Sequence, residues 1–439
     1  MSSGYRYPAD YGPRCEAEID LALGHVAGYA AWRGADPGRG CPVDERFAAL
    51  PLLDKAALRA WGLSGFAAPG RDVEAGLAAR EVEIVRSSGT TEEQVTLLWN
   101  QPWWDASERA SWQLNGHAAR AGLSAHAEAI LTSPSSTGVA TTDGRPLPLH
   151  VRRLARFLYL NEHFDSRDWD DDHLRRMAAE LADFQPAVLE ANPTLMARFC
   201  RRLEALGLGC WQPRLIVISY EIPSVVHLRQ IARVFPRVPV MSSHGCTEAA
   251  CVLTQCEAGC FHQNASFVRL DFQPLADRFG LPRVGRIAVT SFGNPWRVLI
   301  RFDIGDLVRL RPPGQPCACG RGVGVTVETM EGRTRDLTFD RAGRPVTVGR
   351  LDRCLAGVPG LFEYQVSQET PVSWKAAVAC DTAGTVRAVR EALEDLYGGS
   401  VVVERVGAVA PEVSGKHRLA VCQVPYDLPG LFEGTIASP

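Results

Sequence analysis

The chain has 439 residues, of which 46% are hydrophobic and 22% charged, with a formal net charge of -3. This length allows two or three domains with separate cores, the composition excludes wholesale disorder, and the near-balanced charge offers no field for nucleic acid. Residues 1–8 lack the apolar segment of a signal peptide and no later stretch is long and apolar enough to cross a bilayer, so no membrane association and a cytoplasmic location are expected. Thirteen cysteines are an odd number, so a complete disulfide framework is not the natural reading in that compartment.

In chain order, the apolar spacing predicts helices over 14–33 and 104–122, with short strands at 83–85 and 129–132. Amphipathic helices at 170–181 and 193–206 flank an apolar strand at 187–189, and further strands follow at 215–219 and 238–242. From 286 to 310 the pattern is strand-rich, and 286–290 is expected to pair with 296–301 across 291–295. After 331–333, strand, helix and strand signals at 362–367, 374–380, 385–397 and 400–406 suggest a small α+β domain. The fold class expected is α/β: a large N-terminal domain of layered sheets and helices over 1–332, with a β subdomain at about 265–330. A small mobile α+β domain follows over 333–439.

Several segments carry candidate chemistry. Ser87, Ser88, Gly89, Thr90 and Thr91 follow an apolar strand, and their hydroxyls and glycine-freed N–H groups suit phosphate. By itself such a run is more often turn chemistry, and it continues into Glu92 and Glu93, which would face the same anion. Residues 241–248 form a strand ending in a glycine turn that delivers Thr247 and Glu248 together; Glu248 is either a magnesium ligand or a solvated loop carboxylate. Residues 301–307 place Asp306 on a turn, as a ribose acceptor or a solvated aspartate. Trp99, Trp103 and Trp104 have helical spacing and read as core rather than as an aryl pocket. His117 reads as a helix-surface residue, and the acidic run at 165–172 as helix capping rather than a metal site.

Together, Ser87–Thr91, 244–248, Gly305-Asp306 and Gly332-Arg333 occur in the order and spacing of the adenylate-forming enzymes. More closely, the chain resembles the phenylacetate-CoA ligase family and its short aryl-acid-activating relatives, with further similarity at 50–55, 186–193, 214–223 and 312–320. The resemblance implies that Ser87–Thr91 contact the ATP phosphates, Thr247 the α-phosphate, Glu248 the magnesium ion and Asp306 the ribose. His244 stands where the family has an adenine-stacking tyrosine, and Glu221 lies in the segment lining the adenine and acyl sites. Arg333 would bridge ribose and linker, and Arg335, one before Asp336, occupies the usual hinge-aspartate position. Val413-Ser-Gly-Lys416 resembles the loop whose lysine meets carboxylate and α-phosphate during adenylation; a cation there stabilises charge as phosphorus is attacked. Cys256, His262, Cys317 and Cys319 match family positions and suit a structural tetrahedral zinc site, with Cys260 a substitute ligand, while Cys246 and Cys251 are expected to be packing residues.

The activity implied is ATP-dependent conversion of an aryl or arylacetic acid to its acyl-adenylate, followed by transfer to coenzyme A. An amine or carrier protein is the alternative acceptor, in secondary metabolism. A nucleotide- or acyl-binding module with weakened catalysis is the alternative class, motivated by Glu92, Glu93, His244 and Arg335. The partners expected are a small carboxylic acid and an acyl acceptor, with a homodimer compatible.

Overall fold

The computed structural model describes residues 5–87, 94–141, 144–312 and 314–438. The chain divides into two compact units: Met1–Gly116 with Ser243–Met330 and Asp427–Pro439, and His117–Ser242 with Glu331–Tyr426. Among the described residues no helix is long and apolar enough to cross a membrane.

In the first unit, helix Tyr11–His25 buries Tyr11, Cys15, Ile19, Ala22 and Leu23, a stripe at helical spacing. The stripe joins a core with Val268, Leu270, Ile287 and Val289, which alternate along two neighbouring strands. Those strands, Val268–Pro274 and Val284–Ser291, are antiparallel, with Val268 opposite Ser291. Beyond them lie Phe302–Leu310, Thr326–Arg333, Phe261–Gln263 and Ala250–Gln255, and then residues 243–246. A separate hairpin pairs Glu83–Arg86 with Thr96–Trp99.

The second unit carries a parallel sheet in the order 240–242, Leu215–Ile218, Val188–Ala191, Glu128–Leu131 and Phe157–Tyr159, edged by Arg153–Leu154. Ala129, Leu131, Leu189, Ala191, Ile216 and Ile218 alternate onto one face, where Leu174, Met177 and Leu181 of helix Asp171–Phe184 and Leu195, Phe199 and Leu203 of helix Pro193–Leu206 cover them. Its second sheet runs Val401–Arg405, Ser373–Cys380, Leu361–Thr370 and Ala420–Cys422. Helix Ala383–Tyr397 makes the crossover between the parallel strands Ser373–Cys380 and Val401–Arg405, burying Val389, Leu393 and Tyr397.

Three expected elements fold differently. The helix expected over 14–33 breaks at Val26, whose extended backbone (φ -102°, ψ 124°) separates Tyr11–His25 from a 3-10 helix at Ala27–Ala35. The one expected over 104–122 is likewise two, Gln101–Trp112 and Gly116–Gly122. Residues 296–301 are not the hairpin partner of Val284–Ser291; Phe302–Leu310 is. The Asn294 side chain accepts from the Trp296 and Arg297 N–H groups and folds that stretch into a turn, and Val298 N–H donates instead to Phe66 O at 2.9 Å. The acidic run caps as expected: Asp165 accepts from Arg167 N–H, and Asp170 from His173 N–H at 2.7 Å.

Candidate active site

In the first unit, the strand residues 243–246 lead into the turn that carries Thr247 and Glu248. Glu248 is 2% exposed, and its Oε1 lies 3.2 Å from Lys55 Nζ with no aligned hydrogen bond. A buried carboxylate oxygen without a hydrogen-bond donor fits a hard divalent cation, and Glu248 is the residue that would hold magnesium. Arg297 braces the turn from within, donating to Thr247 O at 2.7 Å and to Leu98 O at 3.2 Å. Complete burial pushes its guanidinium down to about 10, while the Glu248 charge opposes that shift.

His244 and Asp306 face each other from two strands of this unit, His244 Nε2 standing 3.1 Å from Asp306 Oδ2. Asp306 is 2% exposed, so it is not the solvated aspartate of the alternative reading. Gly305 precedes it at φ +76°, a conformation that favours glycine. Ser87 is buried at the end of the hairpin, where its Oγ accepts from Val95 N–H at 3.0 Å. Ser88, Gly89, Thr90, Thr91, Glu92 and Glu93 lie outside the described residues. Trp103 belongs to the core, its Nε1 donating to Phe292 O at 3.0 Å; Trp99 and Trp104 form a pair with ring centroids 4.3 Å apart. His117 is a half-buried residue of a short helix, 3.0 Å from Arg120.

The same unit gathers Cys256, His262, Cys317 and Cys319, whose ligand atoms all lie within 4.8 Å of one another. Cys256 Sγ is 3.6 Å from Cys317 Sγ, and Cys319 Sγ is 3.3 Å from His262 Nε2. A zinc tetrahedron with bonds of about 2.3 Å has edges of roughly 3.5–3.8 Å, so the donor set fits that ion. His262 Nδ1 lies 3.5 Å from Thr326 Oγ1, which leaves Nε2 as the ligand atom. Cys260 is outside the four but packs against Cys256 and Cys317, and its Sγ accepts from Arg311 Nη1 at 3.5 Å. A second cluster in the other unit, Glu162, His163 and His173, is poorly suited to a cation. Arg176 already holds Glu162 at 2.8 and 2.9 Å and lies 3.1 Å from His173 Nδ1.

In the second unit, Glu221 follows Tyr220, a non-glycine residue at φ +71°, and donates from its own N–H to Ser219 O at 2.8 Å. This three-residue turn aims the Glu221 side chain. Burial pushes the Glu221 carboxyl up to about 7; the His417 N–H, Asn192, the Lys416 charge and Thr194 oppose the shift. Lys416 sits in a turn closed by Glu412 N–H donating to Lys416 O at 2.7 Å. Arg418, two residues on, pairs with Asp336 at 2.6 Å and donates to Arg335 O at 2.9 Å, tying the lysine segment to residues 334–336. Arg333 ends strand Thr326–Arg333 after Gly332 at φ +109°, where a Cβ would lie 2.7 Å from that of Val348.

Lys55 and Arg297 were not among the candidates singled out from sequence. A signal for Lys55 exists: the chain has only three lysines, Lys55, Lys375 and Lys416, among 47 basic side chains. Lys375 is a surface residue paired with Glu369 at 2.7 Å, whereas Lys416 is a candidate site residue and Lys55 faces one, Glu248. A lysine offers a compact ammonium where arginine offers a planar fork.

No protein-family model matches the chain, and no curated protein matches it in sequence. Its structure is similar to that of 2-hydroxyisobutyryl-CoA ligase in the postadenylation state in complex with 2-HIB-AMP: TM-score 0.66, 15% identity, over 97% of this chain and 91% of that one. It is also similar to an open conformation of that ligase with 2-HIB-AMP and CoA, at TM-score 0.56 and 16% identity, over 97% and 93% of the two chains. At these identities the likeness establishes the fold.

Proposed function

We propose that this chain, which has the fold of the adenylate-forming acid–CoA ligases, activates a carboxylic acid with ATP and transfers the acyl group to coenzyme A. The observation that carries the reading is the placement of the scarce lysines. Lys416 lies in the loop matching the family's adenylation loop, and Lys55 stands against the buried Glu248.

The chemistry assigned to each residue follows from its charge and setting. Lys416 brings a point cation to the carboxylate and the α-phosphate, offsetting negative charge as the carboxylate oxygen attacks phosphorus and pyrophosphate leaves. Thr247 donates to the α-phosphate, and Asp306 accepts from the ribose hydroxyls while His244 lies along the adenine. Glu248 would hold magnesium, which neutralises phosphate charge when bound. Ser87 and the following hydroxyls would clamp the departing pyrophosphate, and Arg333 would contact the ribose. Cys256, His262, Cys317 and Cys319 would hold a zinc ion whose role is structural, since they bind two separate loops together.

The acid is assigned as aryl or arylacetic, on the motif resemblance to the phenylacetate-CoA ligases. A division of the chain into a large domain over 1–332 and a lid over 333–439 belongs to the same reading. Incubation with ATP, magnesium, coenzyme A and a panel of aryl and aliphatic acids tests it. The expected products are AMP, pyrophosphate and an aryl thioester; ATP left unconsumed with every acid would refute it.

A further inference from the structure

The turn that bears Lys416 is seated at two separate places within the second unit. On one side, His417 N–H donates to Glu221 Oε1 at 2.7 Å, so the residue directly after the lysine is fixed by a buried carboxylate. The other Glu221 oxygen accepts from Thr194 Oγ1 at 3.3 Å, and Thr194 lies in the first turn of helix Pro193–Leu206, which Asn192 caps. The carboxylate is therefore held by a rigid element before it holds the loop. On the other side, Ser133 Oγ donates to Ser414 O at 3.4 Å and Ser135 Oγ bonds the same carbonyl. Contact there is close: a Cβ on Gly415, which adopts φ +75°, would lie 2.0 Å from Ser133 Oγ. Neither nitrogen of the His417 ring is hydrogen-bonded, and Nδ1 comes no nearer than 4.0 Å to Glu221 Oε1, so the backbone N–H makes the hydrogen bond of this attachment.

We propose that Glu221, assisted by Ser133 and Ser135, is a positioning residue that latches the Lys416 loop in the pose used for acyl-adenylate formation. Glu221 acts through the His417 N–H, while the serines grip the Ser414 carbonyl, so Lys416 is bracketed by fixed atoms on both sides. Preorganised charge is effective only when held in place before the reaction, and a lysine on an unanchored turn would have to be ordered at each turnover. The inference rests on the ligase reading for its consequence in catalysis, but the latch is a property of the folded chain.

The test uses the full chain with Glu221→Ala, Glu221→Gln and Ser135→Ala. Two quantities are read: acid-dependent ATP–pyrophosphate exchange, and amide hydrogen exchange over 412–418. Glu221→Ala is expected to lower the exchange kcat at least about tenfold, and by more than it raises KM for ATP, because it misplaces Lys416. It is also expected to remove protection across 412–418. Glu221→Gln retains an acceptor oxygen for the His417 N–H and is expected to keep most of both properties; Ser135→Ala should fall between. Unchanged hydrogen exchange in Glu221→Ala would overturn the latch, as would a rise in ATP KM matching the whole loss of activity. Absence of acid-dependent exchange in the wild-type chain would instead refute the ligase reading, and the hydrogen-exchange result would still decide the latch.

Discussion

Lys55 Nζ stands 3.2 Å from Oε1 of the buried Glu248, so the oxygen that would hold magnesium already faces an ammonium. Lysine and metal therefore compete for one carboxylate. The Lys55 side chain is 31% exposed, which limits such a pair to about 0.5–1 kcal/mol. Lys55→Met is expected to lower the magnesium concentration for half-maximal pyrophosphate exchange by about two- to fivefold. A rise in that concentration would show that Lys55 supports metal binding instead of opposing it.

Asp306 is expected to act on nucleotide affinity rather than on turnover. In Asp306→Asn the acceptor loses its charge, with His244 Nε2 only 3.1 Å from it. A hydrogen bond to a charged group is worth about 1.5–3 kcal/mol, so KM for ATP should rise about 10- to 100-fold with kcat changed much less. Steady-state kinetics at saturating acid separate the two parameters, and an unchanged KM would remove Asp306 from the ribose site.

Metal analysis of the purified chain is expected to find about one zinc per molecule, and Cys319→Ser to reduce it. Cys319 Sγ lies 3.3 Å from His262 Nε2, so losing the thiolate opens the donor set. The thermal midpoint should fall by at least about 4 °C, since a domain of this size loses roughly 2–4 °C per kcal/mol. Zinc-free protein of undiminished stability would contradict the assignment.

Glu221 gives a signed pH dependence. Its carboxyl is raised from 4.5 to about 7, chiefly by burial, so the folded chain binds this proton more tightly than the unfolded chain does. That contribution is fully present below pH 4.5 and is lost as pH rises through about 7. Chemical denaturation should therefore find Glu221→Gln gaining on the wild type as pH rises from 4.5 through about 7. A difference independent of pH would mean that Glu221 is ionised throughout.

Much of the architecture was legible from periodicity, because stripes such as those of Pro193–Leu206 and Ala383–Tyr397 are set by burial of one helix face. The gathering of Cys256, His262, Cys317 and Cys319 was legible because two soft pairs on separate loops suit one metal ion. Residues 296–301 misled because their apolar alternation resembles a strand while a single side chain, Asn294, turns the backbone. The Tyr220 turn left no sequence signal, since nothing in a tyrosine announces φ +71°. Arg297 was hidden among many arginines, and only its burial behind Thr247 distinguishes it. Lys55 was visible in principle through the scarcity of lysine.

The central claim is that Lys416 supplies the charge for acyl-adenylate formation, and acid-dependent ATP–pyrophosphate exchange in wild type and Lys416→Ala tests it most directly. The account predicts exchange with at least one aryl acid in the wild type and a loss of about 100-fold or more in the variant, the scale of removing one group that stabilises developing charge. Equal exchange in the two proteins would contradict it.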